Sequence, residues 1–382
     1  MNYHMKGQVN VGVVGLGMGM SHIRAFGGYL ERDPADRRRP RILAKNETGE
    51  KGEKVIPEAN LVAICDLKTE PLRKAAELYG AKAYSSYLDM VNDPEVEAVA
   101  IASPSFEHAP MAILAILHGK HALVEKPVAT DLSAAQRMVE VAKMNKVKLA
   151  CIFQSRLDPI NVQMKKDIEG GKLGKIFLLE GIVKWWRDDK TYYHEDKQVE
   201  MWKGTWYGEG GGALANQGIH TVDQLCWLMD FEVDEVFGYY DKVFHSIQAE
   251  DFTAALLRYR NGATGYVTCT TSMSHQDLQE TRVSVYGTKG TLSKIGDQLV
   301  RRIQGEPETQ GTGESKVQKD TLTVQIMSPH TEQCRDFVQA ILEDRDPVVT
   351  AESATKALEV VKAVYLSCQQ KEPVKLPLKR YF

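Results

Sequence analysis

"VNVGVVGLGMGMSH", residues 9–22, is an apolar run that ends on closely spaced glycines and opens into a helical pattern. Val9, Val11, Val13 and Val14 read as a buried strand, and Gly15, Gly17 and Gly19, with Met18 among them, as the turn that follows. Glycine there lets the backbone bend tightly and approach a pyrophosphate lying on the N-terminus of the next helix. The dinucleotide fingerprint wants its third glycine at position 20, where this chain has Met20, with Gly19 one place early. Glycine-rich strand-to-helix turns also serve packing alone, so the surrounding pattern decides.

That pattern is repetitive. "NLVAICD" (60–66), "VEAVAIAS" (96–103), "KHALVEK" (120–126) and "VKLACIF" (147–153) are short apolar runs, and most are separated by stretches whose apolar residues recur every three or four positions. Continuous apolar strands alternating with helices imply a parallel sheet covered on both faces, the doubly wound α/β (Rossmann) fold. Asp66 ends the second strand, where an acid accepts the adenosine ribose hydroxyls and repels a ribose phosphate. The usual spacing of about 20 residues is stretched by a polar insertion at 31–60, expected to be a solvated loop, with a lid or an oligomer contact left open. Its Arg37, Arg38, Arg39 and Arg41 have the chemistry to meet a phosphate. The cofactor expected is NAD, with NADP left open by Lys68.

After about residue 155 the rhythm changes to long alternating segments such as "KIFLLEGIVKWW", "DFTAALLRYR" and "ATGYVTCTTSM". These suit an open, mostly antiparallel sheet in an α+β domain closed by two helices. The expected domains are therefore 1–153, for the dinucleotide, and 154–382, for substrate and oligomerisation, with the last helices packing back. A net charge of -3 lacks the concentrated positive field that nucleic acid or an anionic membrane would need. The opening residues lack an apolar signal core, and no stretch approaches the length of a membrane span. Six scattered cysteines, without C-x-x-C pairs, fit a reducing compartment, and the location expected is the cytoplasm. The histidines and acids show no ligand spacing, so no metal site is expected.

Residues 99–142 carry Ser103-Pro104, His108 and Glu125-Lys126-Pro127, and together with the Gly-Gly-Gly to His region at 210–220 they resemble the glucose-fructose oxidoreductase / inositol dehydrogenase (Gfo/Idh/MocA) family. "VSVYGTKGTL" (283–292) and the closing "DFVQAILEDRDPVVTAESATKALEVVKAVYLS" (336–367) extend the resemblance over nearly the whole chain. It implies a Rossmann domain followed by an open sheet, cofactor contacts at Ser103, Pro104, His108 and Glu125, and a catalytic Lys126. Physics supports the last, because ligands of open α/β sheets bind at the carboxyl ends of the strands, where Lys126 stands. A partly desolvated lysine beside a cationic nicotinamide has a lowered pKa and can take or relay an alcohol proton.

In many similar proteins an Asp and a His four residues apart share a helix face, and the carboxylate orients the imidazole. Here the matching pair is Asn216 and His220. An amide orients a ring without stabilising its charge, so two arrangements stay open: His220 as base, relayed by water or Asp223, or Lys126 as base with His220 holding the hydroxyl. All five tryptophans (Trp185, Trp186, Trp202, Trp206, Trp227), with Tyr192, Tyr193 and Tyr207, fall in one window. Aromatic faces beside Lys184, Arg187 and Lys203 suit the C–H faces and polar edges of a sugar. Trp185, Arg187, Tyr193 and Trp206 are the substrate candidates from that window, and the resemblance adds Gln154 and Arg156.

The expected activity is NAD(P)-dependent oxidation of a secondary hydroxyl on a sugar, pyranoside, nucleotide sugar or cyclic polyol. Two other readings stay open: a redox-neutral hydrolase or lyase that oxidises the sugar transiently, and a non-catalytic NAD-binding sensor. A sheet with one free face is expected to be covered in a homodimer or homotetramer.

Overall fold

The computed structural model describes residues 7–31, 41–44, 53–306 and 327–379. They divide into two compact units. The first runs to Ala129, resumes over Ala134–Gln154, and takes in a late stretch ending at Ser353; the second holds Thr130–Ser133, the long middle of the chain from Ser155, and everything from Ala354.

The first unit is built on a six-stranded sheet in the order Lys82–Tyr84, Ala59–Cys65, Val9–Val14, Ala98–Ile101, His121–Val124, Leu149–Cys151. Every pairing in it is parallel. The central strands are buried along their whole length, as doubly covered parallel strands must be. Val9, Val11, Val13, Ile23, Phe26, Ile64 and Leu123 form one core with Cys334, Phe337, Val338 and Ile341. The last four come from the helix Pro329–Leu342, which packs on the helix Gly19–Gly27. The edge strand Lys82–Tyr84 is not among the apolar runs above, being short and mostly exposed.

The insertion differs from the expected loop. Tyr29–Glu31, Arg41–Leu43 and Glu53–Lys54 pair into a small antiparallel sheet, and Val55 and Ile56 behind it are fully buried. Arg37, Arg38 and Arg39 lie outside the described residues.

The second unit carries an eight-stranded sheet ordered Gln298–Ile303, Gly290–Ile295, Glu280–Gly287, Ile176–Lys184, Thr264–Thr270, Phe252–Tyr259, Val233–Asp241, Val374–Lys375. Its pairings are antiparallel except that of Ile176–Lys184 with Thr264–Thr270. Burial alternates along Phe252–Tyr259, placing Thr253, Ala255, Leu257 and Tyr259 inside. On the opposite face Phe237 and Leu256 stand directly across from each other, 43% and 52% exposed, with Tyr239 beside them. The helix Ile219–Leu228 lies against the buried face. Its approach depends on Gly181, where a Cβ would stand 2.5 Å from Thr221 and 2.9 Å from Leu225. Among the described residues the six cysteines form no disulfide, and no helix is long and apolar enough to cross a membrane.

Candidate active site

The strand Val9–Val14 ends in a turn that only glycine fills. Gly15 has φ +90°, and a Cβ on it would meet the Ala102 carbonyl oxygen at 2.4 Å. Gly17 and Met18 are exposed, and the helix Gly19–Gly27 begins without a side-chain cap or an acid in its first turn. A phosphate at this helix start therefore meets neither a competing side chain nor a like charge. Asp66 is fixed beside it: Leu16 N–H donates to Oδ2 at 2.8 Å and Lys68 N–H to Oδ1 at 2.7 Å. Each carboxylate oxygen keeps a lone pair for a ribose hydroxyl. Ser103 Oγ, at the end of the neighbouring strand, is buried without a hydrogen-bond partner in the structure. The glycine turn, the anchored acid and the orphaned hydroxyl fit a dinucleotide.

Asp66→Ala is expected to raise the KM for NAD roughly 10- to 100-fold, the scale of one or two hydrogen bonds to a charged group. The same change should narrow the preference for NAD over NADP. Initial rates with both cofactors check it; an unchanged NAD KM would remove Asp66 from the ribose.

Lys126 follows the strand His121–Val124 and is partly exposed, in a cis peptide bond with Pro127. The residues around it point inward. Glu125 is buried, accepting from the Lys126 backbone N–H at 3.2 Å through Oε2 and meeting His22 Nε2 at 3.0 Å and His330 Nε2 at 3.4 Å through Oε1. His108 is buried with Nδ1 2.7 Å from the Pro127 carbonyl and Nε2 3.0 Å from that of Ser103. Burial holds its pKa below the ordinary value although both carbonyls favour the charged ring, so we place the single N–H of the neutral ring on the shorter contact. Both residues, expected to touch the cofactor, hold the Lys126 turn in the structure. Pro104 is partly exposed and leads a short 3₁₀ turn, Ser105–Glu107, into the helix His108–Leu117.

In the second unit the Gly-rich turn is clamped by a residue the sequence reading passed over. Glu250, fully buried, accepts from Gly212 N–H (2.6 Å), Leu214 N–H (2.7 Å) and Tyr365 Oη–H (2.9 Å). Lys362 adds a bond from Nζ to the Gly210 carbonyl at 2.7 Å. The chain then forms one π-helical stretch, Leu214–Gly218, before the α-helix Ile219–Leu228. Such insertions often mark functional sites, because they re-aim side chains that a regular helix would stack.

Asn216, in the π-helical stretch, donates through Nδ2 to Tyr192 Oη at 3.1 Å and to the buried carboxylate of Glu209. Gln217 Nε2 donates to the same Tyr192 oxygen at 2.7 Å. Burial first, then the nearby Glu209 charge, pushes the Tyr192 phenol up to about 12, so it keeps its proton and can donate onward. Lys203 Nζ sits 4.0 Å from the centre of the Tyr192 ring, and the Arg187 guanidinium lies over both Tyr192 (5.2 Å) and Trp185 (4.5 Å). His220, partly exposed, occupies the second position of the α-helix. Glu209 thus brings a carboxylate to the amide that stands in the aspartate's place. It lies in the turn itself, where no periodicity ties it to the helix.

Other candidates sit elsewhere. Arg156, expected to reach substrate, and Asp223, expected to relay the His220 proton, form a buried, two-pronged ion pair with each other. Tyr193 is only 2% exposed and bonds Thr271 through its hydroxyl, which makes it core. Trp206 stacks edgewise on Tyr365 and near Tyr240, with 37% of its surface exposed. Trp185 donates through Nε1 to Thr281 at 2.8 Å. Gln154 is partly exposed, and its Oε1 is buried without a partner in the structure, available to a ligand.

Burial pushes the Glu250 carboxyl up to about 7, against the three bonds that favour its ionised form. The folded chain then holds this proton up to about pH 7, while the unfolded chain releases it near the ordinary 4.5. Between those values the native state binds the extra proton, so this contribution to stability is full below pH 4.5 and falls as pH rises through 7. Its span is up to about 3 kcal/mol. Chemical denaturation of wild type and Glu250→Gln from pH 5 to 8 is expected to show a stability difference that varies with pH in this sense; a constant difference would refute the shift.

A parallel sheet with a glycine turn and an anchored acid at neighbouring strand ends, joined in one chain to an antiparallel-sheet unit carrying a partly exposed histidine, defines a nicotinamide-dependent oxidoreductase of two units. Residues 9–153 match the NAD-binding Rossmann-fold model of the Gfo/Idh/MocA oxidoreductase family, and residues 165–376 match its C-terminal α/β-domain model. The chain belongs to that family. It is 27% identical over 328 residues to myo-inositol 2-dehydrogenase of Thermotoga maritima, covering 85% of this chain and 93% of that one. It is also 27% identical over 334 residues to the NAD-dependent scyllo-inositol 2-dehydrogenase of Bacillus subtilis, covering 86% and 92%. Among solved structures, the WlbA dehydrogenase of Bordetella pertussis, in complex with NADH and UDP-GlcNAcA, superposes with a TM-score of 0.79 at 28% identity, covering 97% of this chain and all of that one.

Proposed function

We propose that this oxidoreductase removes hydride from a secondary hydroxyl carbon of a sugar ring or cyclic polyol and passes it to NAD, with the hydroxyl proton taken by His220 or Lys126. The observation that carries the reading is the Tyr192 cluster. Asn216 and Gln217, one turn before His220, meet a protonated phenol whose ring carries two cations, a set suited to a ring dense in hydroxyls. Arg187 and Lys203 favour a substrate that also bears a carboxylate or phosphate. That agrees with a relative crystallised with a nucleotide-linked sugar acid. Bound NAD supplies the hydride acceptor. The chain's residues do the rest: Asp66 and the Gly15 turn hold the dinucleotide, Gln154 and the Tyr192 cluster orient the ring, and His220 or Lys126 receives the proton.

The test is absorbance of reduced nicotinamide with inositols, free pyranosides, sugar acids and nucleotide sugars. Reduction with one class identifies the substrate. Silence across the panel from protein that still carries NAD would overturn net dehydrogenation in favour of transient oxidation. The same reading takes the exposed Phe237–Tyr239–Leu256 face as the seam of a homodimer or homotetramer, and the disulfide-free cysteines as those of a cytoplasmic protein. A monomer by light scattering would remove the former.

A further inference from the structure

Glu125 closes a ring of four side chains inside the first unit. His22, from the helix Gly19–Gly27, and His330, from the first turn of the helix Pro329–Leu342, both direct Nε2 at Glu125 Oε1, at 3.0 and 3.4 Å. Both direct Nδ1 at Cys334 Sγ, at 3.5 and 3.9 Å. His330 and Cys334 are four residues apart on one helix and share its face. His22 and Cys334 are fully buried, whereas the His330 side chain is 13% exposed and gives solvent a way in.

A count of protons makes the arrangement unusual. A carboxylate only accepts, so each Nε2 carries a hydrogen, and in a neutral imidazole that leaves Nδ1 as a lone pair. Two lone pairs then face one sulfur, and a thiol has one proton to give. The neutral cluster leaves one Nδ1 without a donor; the fully charged one buries two imidazolium ions with a thiolate and a carboxylate. One divalent cation in place of the thiol proton serves both lone pairs and the sulfur together.

We propose that His22, His330 and Cys334 bind one zinc ion through the two Nδ1 atoms and Sγ, with Glu125 as the outer carboxylate that fixes both rings. Bonds of about 2.0–2.1 Å to nitrogen and 2.3 Å to sulfur put tetrahedral N and S ligands roughly 3.5 Å apart. The observed 3.5 and 3.9 Å need only slight contraction, and the three ligand atoms lie within 4.8 Å of one another. Imidazole and thiolate ligands select zinc over magnesium or calcium, which prefer oxygen. Carboxylate-held histidines are the usual second layer of zinc sites. On binding, the S–H bond breaks, its proton leaves to solvent, and the sulfur lone pair bonds the metal; no electron is exchanged. The ion would tie the Gly19–Gly27 helix to the Pro329–Leu342 helix and, through Glu125 Oε2, brace the backbone N–H of Lys126. His330 and Cys334 show an i, i+4 spacing, but His22 lies 312 residues from Cys334, so the full set is not visible as spacing in the sequence.

The test uses the full chain from zinc-supplemented culture, dialysed and analysed for metal, with about one zinc per chain expected. Chelator-stripped protein titrated with Co2+ should develop a near-ultraviolet sulfur-to-cobalt band and the visible bands of a tetrahedral ion. Zinc should restore the melting midpoint by at least about 5 °C. Cys334→Ser should abolish the sulfur band, and Glu125→Gln should weaken metal binding roughly 10- to 100-fold. His330→Gln, at the partly exposed ligand, should lose stoichiometric zinc while keeping native circular dichroism. Wild-type protein that retains no metal and shows neither band nor melting shift with Co2+ or Zn2+ would overturn the site, as would a sulfur band that survives Cys334→Ser.

Discussion

Enzyme carrying Lys126→Ala is expected to lose about 10²- to 10⁴-fold in kcat, the span usual for removal of a positioned acid or base, while its dissociation constant for NAD stays within a few-fold of wild type. The backbone argues for this. Lys126 leaves the carboxyl end of a central parallel strand, where ligands of open α/β sheets bind. Its own N–H is taken by Glu125, and the next carbonyl by His108, so the turn is pinned from within while the side chain stays partly exposed. Lys126→Arg separates two roles. Arginine keeps the charge but does not give up its proton in proteins. If Lys126 moves a proton, the arginine enzyme is as slow as the alanine one; if it supplies only charge, arginine restores most of the rate. Stopped-flow absorbance of reduced nicotinamide measures kcat, and cofactor fluorescence measures binding. Turnover within a few-fold of wild type in Lys126→Ala would exclude Lys126 from the chemistry.

His220→Ala is expected to reduce kcat by at least ~100-fold. Its helix begins in a turn held by Glu250 and Tyr365, and the π-helical residues just before it place Asn216 on Tyr192 and Glu209. Fixed surroundings of this kind let a ring meet a substrate hydroxyl without reorganising. His220→Gln keeps a hydrogen-bonding side chain that cannot take the proton. Recovery of rate in the glutamine enzyme would assign proton transfer to Lys126 and mere orientation to His220. Equal loss in both would make His220 the base, and full activity in His220→Ala would remove it from the mechanism.

The parallel sheet was legible because its strands are apolar on both faces and need no partner to be recognised. Lys82–Tyr84 was not, since an edge strand of three residues with two exposed has no apolar run to show. The small sheet after Gly28 was hidden for a similar reason, its strands being only two or three residues long. At the site, Lys126, Asp66 and His220 stood where strand ends and helix starts predict. The pairing of Arg156 with Asp223 was not legible, because the two lie 67 residues apart along the chain. Glu250 and the approach of His22 to the His330–Cys334 pair were out of reach, since how the chain folds back leaves no trace in spacing, whereas Glu209 meets Asn216 only seven residues on, across a turn with no regular period.

The helix Pro329–Leu342 also bears on how the protein is made. Phe337, Val338 and Ile341 belong to the core that Val9, Ile23 and Phe26 begin. During synthesis the N-terminal strands emerge from the ribosome long before the residues that cover them, and the Rossmann unit stays unfinished until Ile341 has left the exit tunnel. A truncation that stops after the strand Gln298–Ile303 would not free an independent dinucleotide-binding fragment; it would leave apolar surface for chaperones or aggregation to find.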